Sequence, residues 1–230
     1  MNTAIIVAAG SGKRFGSDIP KQFSDLHGKP LIVHTIESFE RCESINEIVL
    51  VLSPDEINNF TERLGQFSFT KLARIVAGGK TRAESVLNGL NTVDSENAGI
   101  IAVHDGARPL VTALEISETL QAARQTGAAC LVAKVTDTIK RIEGGRIICT
   151  LDRDNLVKAL TPQCFRYELL MRAFADNNID EKVTDECCLV EKLGVEIQAV
   201  IGSSRNIKIT HREDLKIAEA LFNDAELICE

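Results

Sequence analysis

No stretch of this sequence is apolar for long enough to cross a membrane. A spanning helix needs roughly 20 consecutive apolar residues, and every hydrophobic run here is much shorter. The first run, Ala4–Ala9, has no basic segment before it, so it lacks the pattern of a secretion signal. We therefore expect a protein with no membrane partner.

Paired cysteines are also missing. The seven cysteines are odd in number, and none of them forms a CxxC pair. This argues against a disulfide framework and against a structural zinc site, and the four histidines are too scattered to hold a metal. Free thiols are typical of a reducing compartment, so we expect a cytoplasmic protein.

An excess of positive charge is the third absence. The net charge is −7, which makes broad binding to nucleic acid unfavourable. A polyanionic ligand must then be attracted by a local cluster of cations rather than by the whole surface. The hydrophobic content of 44% and the length of 230 residues are ordinary for one globular domain, which we expect to cover residues 1–230.

Short apolar runs alternate with helix-like segments along the chain. The runs are TAIIVAA, INEIVLVLS, LARIVAGG, GIIAVHD and AACLVAKV. Capping residues predict helix starts at Ser53, Thr81, Thr112 and Thr210. This alternation predicts an α/β fold, a mostly parallel sheet with helices on both faces. Ligands of such sheets bind beyond the carboxyl ends of the strands, which here are followed by loops 8–21, 78–82, 104–109 and 202–209.

One segment, residues 136–153, departs from this alternation. Two strand-like arms flank Gly144 and Gly145, and a Gly-Gly pair is typical of a hairpin turn. A hairpin inserted in a parallel α/β domain is expected to project from it. The segment is either an ordinary surface hairpin or an arm that reaches a second subunit.

The first strand leads into a glycine-rich turn, AAGSGKRFG, which matches neither common nucleotide-binding motif. The dinucleotide motif G-x-G-x-x-G fails because Phe15 stands in place of its last glycine. The P-loop fails because Arg14 follows Lys13 where Ser or Thr is required, and GGKT at 78–81 fails because Arg74 replaces its first glycine. A nicotinamide oxidoreductase and a hydrolase of the P-loop type are therefore disfavoured.

The same turn carries three cations in one short stretch, Lys13, Arg14 and Lys21. Backbone N–H groups and cations of such a loop can hold a triphosphate. Fixed cations also stabilise the charge that develops on the α-phosphate during nucleotidyl transfer. A solvated basic surface explains the same residues, so the loop alone leaves both interpretations open.

Three further charged residues are candidates for the same site. Asp105 ends a predicted strand and could bind a ribose hydroxyl or Mg²⁺. Lys208 is expected in a strand before the last helix, where a buried cation needs a partner. Arg153 follows the predicted arm, a position at which a lone arginine is usually solvated.

Eight motifs occur in a fixed order along the chain: AAGSGKRFG with PKQF (8–23), GGKTRAESV (78–86), VHDGARP (103–109), DTIKR (137–141), LDRDNL (151–156), LTPQCF (160–165), VTDE (183–186) and NIKIT (206–210). Together they resemble the 2-C-methyl-D-erythritol 4-phosphate cytidylyltransferase family of the non-mevalonate isoprenoid pathway. The resemblance extends from residue 3 to about residue 222.

The resemblance implies a GT-A-like, Rossmann-like nucleotidyltransferase fold with a protruding β-hairpin arm. It implies that the arm, residues 136–153, joins two copies into a homodimer. The implied reaction is Mg²⁺-dependent transfer of CMP from CTP to the sugar-alcohol phosphate 2-C-methyl-D-erythritol 4-phosphate, which gives 4-diphosphocytidyl-2-C-methyl-D-erythritol and pyrophosphate.

The resemblance also implies roles for individual residues. Arg14 and Lys21 match the stabilisers of the transition state. Arg153, Lys208 and Thr138 match the positions that hold the acceptor phosphate, with Thr138 supplied by the partner's arm. The positions that match the CTP site are Ala8, Ala9, Gly10, Gly12, Lys13, Gly79, Ser85, Asp105 and Gly106. Asp105 is also the implied metal ligand.

Two alternatives accompany this interpretation. Ribitol-5-phosphate cytidylyltransferases share most of the motifs, although the small residue before Arg108 in HDGARP favours methylerythritol phosphate. A non-catalytic CTP-binding homologue is the other alternative, and the presence of every cation that the chemistry needs disfavours it. Lys80 stands where some members of the family carry an acidic residue, which leaves a base contact by that side chain open.

Overall fold

The computed structural model describes residues 1–10, 15, 20–176 and 183–228. The strands are β1 (Thr3–Ala8), β2 (Asp25–Leu26), β3 (Lys29–Pro30), β4 (Glu47–Leu52), β5 (Leu72–Ala77), β6 (Ile100–Asp105), β7 (Ala128–Lys134), β8 (Lys140–Glu143), β9 (Arg146–Thr150), β10 (Val157–Arg166) and β11 (Gln198–Ile201). The helices are α1 (Leu31–Arg41), α2 (Ile57–Leu64), α3 (Arg82–Leu90), α4 (Ala113–Thr126), α5 (Tyr167–Ala175), α6 (Cys187–Glu191) and α7 (Arg212–Ile228).

Seven strands form one sheet in the order β11-β7-β10-β6-β1-β4-β5. All neighbouring pairs are parallel except those of β10, which runs antiparallel to both β6 and β7. The predicted α/β fold with a mostly parallel sheet is confirmed. None of the helices in the described part of the chain is both long and apolar enough to cross a membrane.

Two apolar cores cover the two faces of this sheet. Ala4 and Ile6 of β1 pack in the core that contains side chains of α1 and α4. Ile5, between them, packs in the other core, which contains side chains of α3 and α5. Successive side chains of a strand point to opposite faces, so a strand buried on both faces must be apolar at nearly every position. This is why the strand sequences show no alternation of polar and apolar residues.

The helix starts agree with the capping predictions to different degrees. Thr112 forms a complete capping box with Glu115 at the start of α4. Thr81 accepts from the backbone N–H of Glu84, as expected, but the Glu84 carboxylate accepts from the N–H of Lys80. Ser53 makes no side-chain cap and precedes a 3₁₀ turn rather than an α-helix.

The cap predicted at Thr210 is wrong by one position. Helix α7 begins at Arg212, and the Asp214 carboxylate accepts from the N–H groups of Thr210 and His211, each at 2.8 Å. An aspartate at the third helical position has the reach and the charge to satisfy these N–H groups. Glu213 has the usual capping-box spacing from Thr210, but it is the Asp214 carboxylate that accepts from these N–H groups.

Strands β8 and β9 form the predicted hairpin around Gly144 and Gly145, which both have positive φ. The hairpin is a two-stranded sheet of its own, and every residue of its two strands is exposed. Ile142 and Ile147 are each 67% exposed. The hairpin therefore presents apolar side chains that no described part of the same chain covers.

Strand β10 was not predicted from the sequence. Pro162 interrupts it, and a proline cannot donate to a strand ladder. The structure accommodates the proline where the pairing with β7 shifts register between Ala159 and Gln163. The strand matters for the site because it carries Thr161 and Gln163, both buried, behind the end of β6.

Candidate active site

A cavity of about 460 Å³ lies at the carboxyl ends of the parallel strands. Its walls come from the loop after β1, the turn at Lys21, the loop between β5 and α3, the end of β6, and the segment before α7. The loops that follow the predicted strands thus come together around one cavity. This is where a doubly wound sheet binds its ligands.

The charge of the cavity wall is strongly positive. Four cations line it, namely Lys21, Lys80, Arg82 and Lys208. Within the described ranges, Asp105 is the only carboxylate that lines it. A protein of net charge −7 therefore concentrates positive charge at one cavity, which favours a polyanionic ligand there.

Asp105 is the centre of the charged groups in this cavity. Its Oδ1 accepts from Nε of Arg82 at 3.0 Å. Its Oδ2 lies 3.3 Å from Nε of Arg108 and 2.9 Å from Nζ of Lys208. Burial alone raises the pKa of this carboxyl, but the three cations hold its pKa far below the ordinary value. Asp105 is thus ionised at every physiological pH.

Lys208 reaches Asp105 from an irregular segment. Residues 206–210 form no strand, so the prediction of a strand at Lys208 is wrong. Side-chain and backbone bonds hold the segment instead: Nη1 of Arg108 donates to the Asn206 carbonyl at 2.8 Å, and Ile209 N donates to the Ala107 carbonyl at 2.9 Å. Lys208 is half-buried, and its partner is Asp105.

A hydrogen-bond chain behind Asp105 fixes the end of β6. The Arg108 carbonyl can only accept, so Nε2 of His104 carries the proton of the neutral ring and donates to it at 3.2 Å. Nδ1 of His104 therefore accepts from Oγ1 of Thr161 at 3.0 Å, and the same hydroxyl oxygen accepts from the backbone N–H of Asp105 at 3.1 Å. Burial lowers the pKa of His104 to about 4, which agrees with this neutral tautomer.

The narrow side of the cavity is built from small residues. A Cβ on Gly79 would lie 2.4 Å from Cβ of Glu84, so only glycine fits there. A Cβ on Gly10 would meet nothing within 4 Å and would enter open space beside the cavity wall. Oγ of Ser85 accepts from the N–H of Gly79 and donates to the Thr81 carbonyl, which leaves it one lone pair to offer.

Comparison with known proteins gives one consistent family. A family model described as IspD, 2-C-methyl-D-erythritol 4-phosphate cytidylyltransferase, matches residues 2–224. The chain belongs to the 2-C-methyl-D-erythritol 4-phosphate cytidylyltransferase family.

Individual relatives cover the whole chain. A protein of this name from Clostridium novyi is 44% identical, over 97% of this chain and 97% of its own length. Another from Geobacillus kaustophilus is 43% identical, over 95% and 96%. These enzymes are cytidylyltransferases, and the match favours the methylerythritol-phosphate branch over the ribitol-phosphate alternative.

Solved structures agree with the fold. The 4-diphosphocytidyl-2C-methyl-D-erythritol synthase from Anaerococcus prevotii superposes with a TM-score of 0.85 at 29% identity, and 96% of each chain is covered. The cytidylyltransferase from Francisella tularensis superposes with a TM-score of 0.77 at 32% identity, over 94% of this chain and 97% of that chain. The chain has the α/β nucleotidyltransferase fold of these enzymes.

Most residues that the family resemblance pointed to line the cavity. These are Ala8, Ala9, Gly10, Lys21, Gly79, Ser85, Asp105 and Lys208. Gly106 lies behind the wall, where its N–H donates to the Val7 carbonyl at 2.9 Å and a Cβ would collide with Ile32 and Ala8. Gly12, Lys13 and Arg14 lie outside the described residues.

Two residues matched to the acceptor phosphate are not at the cavity of their own chain. Nη1 of Arg153 donates to the Thr136 carbonyl at 2.7 Å, and neither residue lines the cavity. Thr138 is exposed at the base of the hairpin. Within one chain, the described residues therefore bring together most of the positions matched to CTP, and Lys208, but not Arg153 and Thr138.

Arg82, Arg108 and Glu186 of the site were missed by sequence reasoning. Arg82 is the first residue of α3 and bridges Asp105 and Glu186, with Nη1 2.6 Å from Oε1 of Glu186. It stands inside a capping-box pattern, so it was interpreted only as part of a helix start. A charged side chain in the first turn of a helix whose N-terminus faces the ligand edge was the signal that could have identified it.

Proposed function

We propose that this protein transfers the CMP group of CTP to 2-C-methyl-D-erythritol 4-phosphate, with release of pyrophosphate. The single observation that supports this most is the cavity wall, which carries four cations and one ionised carboxylate beside a narrow side built from alanine and glycine. The cations suit a triphosphate and an acceptor phosphate. The alanine and glycine residues let a small pyrimidine lie against the backbone.

The orientation of Ser85 supports cytosine as the base. Because its proton goes to the Thr81 carbonyl, its oxygen can only accept a further hydrogen bond. Cytosine offers an amino group as donor where uracil has a carbonyl. We therefore expect CTP, and not UTP, to be the donor nucleotide.

Lys208 and Lys21 are suited to bind the phosphate groups of the two substrates. Lys208 lies beside Asp105, where it can bind the acceptor phosphate, and Lys21 is held near the same segment by a 2.8 Å bond from Nζ to the Ile209 carbonyl. The acceptor phosphate is already a nucleophile at neutral pH, so the site needs no general base. His104, the histidine nearest to Asp105 in sequence, is neutral and fully buried, which agrees with such a reaction.

A magnesium ion fits this site only if the substrate phosphates supply some of its ligands. In the described part of the chain, no group of three or more His, Cys, Asp or Glu side chains could hold a metal. Mg²⁺ in nucleotide enzymes commonly takes one or two carboxylates and completes its shell with phosphate oxygens and water. Asp105 would be that carboxylate, and the ion would neutralise charge on the triphosphate.

The hairpin arm supports a homodimer in which each arm completes the partner's site. Ile142, Ile147 and Ile148 are exposed on the arm, and an apolar surface of this kind fits a protein partner. Arg153 and Thr138, at the base of the arm, are away from the cavity of their own chain. In such a dimer they would reach the acceptor phosphate in the cavity of the other copy.

The compartment is proposed from the cysteines. The six described cysteines are all free thiols, and four of them are buried in the two main cores, namely Cys42, Cys130, Cys164 and Cys187. Unpaired thiols suit a reducing environment. We therefore place the enzyme in the cytoplasm.

Pyrophosphate release tests the proposed reaction. The protein is incubated with Mg²⁺ and CTP together with either 2-C-methyl-D-erythritol 4-phosphate or D-ribitol 5-phosphate, and UTP replaces CTP in a parallel series. Release only with CTP and methylerythritol phosphate supports the proposal. Equal release with ribitol phosphate, or tight CTP binding with no turnover on either acceptor, contradicts it.

A further inference from the structure

Glu186 is a fully buried carboxylate directly behind the cavity wall. It immediately precedes helix α6 and does not line the cavity itself. Its Oε1 accepts from Nη1 of Arg82 at 2.6 Å. Burying a carboxylate is costly, and an ion pair in the interior often stabilises a fold no more than apolar side chains of the same volume. A role beyond fold stability is therefore the better reason for this residue.

Arg82 connects Glu186 to the reaction site. Its guanidinium donates through Nη1 to Glu186 and through Nε to Asp105, and the same side chain lines the cavity. Two anchors on one rigid, planar group fix the orientation of that plane. Burial lowers the pKa of this guanidinium, but the two carboxylates together raise its pKa above the ordinary value.

Glu186 is itself held in place by a central strand of the sheet. Oε1 of Gln163, on β10, accepts from the backbone N–H groups of Glu186 and Cys187, each at 3.1 Å. Nε2 of Gln163 donates to Oδ2 of Asp185 at 2.9 Å. Gln163 is buried, so the turn that presents Glu186 is anchored to the core rather than to a surface loop.

We propose that Glu186 is a positioning residue for cytidylyl transfer, acting through Arg82 to hold Asp105 and Lys208 in their working arrangement. With Glu186 in place, only the Nε edge of Arg82 binds Asp105, and Oδ2 is left to Lys208 and Arg108. Without it, the guanidinium is free to bind both oxygens of Asp105, as arginine does with isolated carboxylates. The carboxylate of Asp105 would then move away from Lys208.

The inference rests on the proposed function, since it concerns the same site. Glu186→Gln is nearly isosteric and removes the charge that holds Arg82. Because small displacements of positioning groups cost about 10- to 100-fold in rate, we expect kcat/KM for methylerythritol phosphate to fall by about that factor.

A double-mutant cycle separates positioning from simple stabilisation. If Glu186 acts through Arg82, adding Glu186→Gln to Arg82→Gln should change kcat/KM by less than about twofold. The matched control is Glu47→Gln, which removes another buried glutamate from an ion pair, with Arg74 at 3.1 Å, on a residue that does not line the cavity. It should lower the melting temperature and leave kcat/KM unchanged.

Several results would overturn the inference. They are a Glu186→Gln enzyme with wild-type kcat/KM, losses that multiply in the double variant, or an equal loss in Glu47→Gln. Should Glu186→Gln not fold, Arg82→Lys is the deciding variant. It keeps a positive charge beside Asp105 but lacks the rigid planar group that joins the two carboxylates in a fixed geometry, and full activity in it would refute the inference. A wild-type protein without turnover would instead refute the proposed function, so the two failures are distinguishable.

Discussion

Nζ of Lys208 lies 2.9 Å from Oδ2 of Asp105, which joins the segment before α7 to the end of β6. Arg82 approaches the other oxygen of the same carboxylate from α3. Cations from distant parts of the chain therefore meet at one buried acid. Each of them therefore helps to balance the charge of the same carboxylate.

Loss of Lys208 should affect the acceptor more than the nucleotide. We expect Lys208→Met to lower kcat by about 10²- to 10³-fold, the usual cost of removing a fixed group that stabilises transition-state charge. The KM for the acceptor should rise, while the KM for CTP stays near the wild-type value. Steady-state pyrophosphate release with each substrate varied in turn measures this. Lys216→Met, an exposed lysine on α7, is the matched control and should be active.

Arg14 is expected to be as important as Lys208, although it lies outside the described residues. Arg14→Ala should lower kcat by about 10²- to 10³-fold without unfolding the protein, because the residue is assigned to the charge that develops on the α-phosphate. Arg63→Ala, an exposed arginine on α2, serves as the control. Near-wild-type turnover in Arg14→Ala would contradict a catalytic role for the glycine-rich loop.

Mixed dimers can show whether the arm completes the partner's site. Lys208→Ala removes a group from the cavity, and Arg153→Ala removes one from the arm. If the site is shared, a dimer with one subunit of each kind has one site with both groups and one site with neither. Random pairing of the two chains would then restore about one quarter of the wild-type activity.

The same experiment also has an outcome that would contradict a shared site. If Arg153 acts within its own chain, or not at all, co-expressed Lys208→Ala and Arg153→Ala chains recover no activity beyond the sum of the separate variants. The separate variants and a size measurement of each are the controls. A monomeric wild-type enzyme with full activity would also contradict the shared site.

The neutral state of His104 predicts how stability depends on pH. Its pKa is lowered from 6.5 to about 4, so between these values the unfolded chain binds a proton that the folded chain excludes. The free energy of unfolding should therefore decrease as the pH falls from about 6.5 to about 4, by on the order of 3 kcal/mol from this residue.

Urea denaturation of the metal-free and nucleotide-free protein at several pH values measures this. His104→Asn keeps a polar side chain but cannot titrate. Its stability deficit relative to the wild type should be largest near pH 7 and should shrink as the pH falls. A deficit that is constant from pH 7 to pH 4.5 would show that His104 does not titrate in this range.

The sequence was sufficient for most of the parallel strands and for much of the cavity. Continuous apolar runs, glycines and strand-end charges are local signals, so β1, β4 and the region around Asp105 were predictable. Strand β10 was not, because Pro162 makes its sequence unlike a strand, and only the tertiary pairing with β6 and β7 forces it into the sheet.

The contacts that Arg82 makes with Asp105 and Glu186 could not be predicted from the sequence, for a different reason. Arg82, Asp105 and Glu186 are far apart in the chain, and no spacing rule relates them. Their contact depends on the antiparallel position of β10, which brings the turn before α6 behind α3. The proposed roles of Arg153 and Thr138 would depend in addition on a second copy of the chain.

The proposed reaction is tested by measuring kcat/KM of the purified protein for 2-C-methyl-D-erythritol 4-phosphate and for D-ribitol 5-phosphate at fixed CTP and Mg²⁺, with the product identified by mass. We expect 4-diphosphocytidyl-2-C-methyl-D-erythritol to form and ribitol phosphate to be a poor substrate, with Lys208→Met impaired on methylerythritol phosphate. A cytidylylated product from ribitol phosphate at equal or higher kcat/KM, or no product from methylerythritol phosphate, would contradict it.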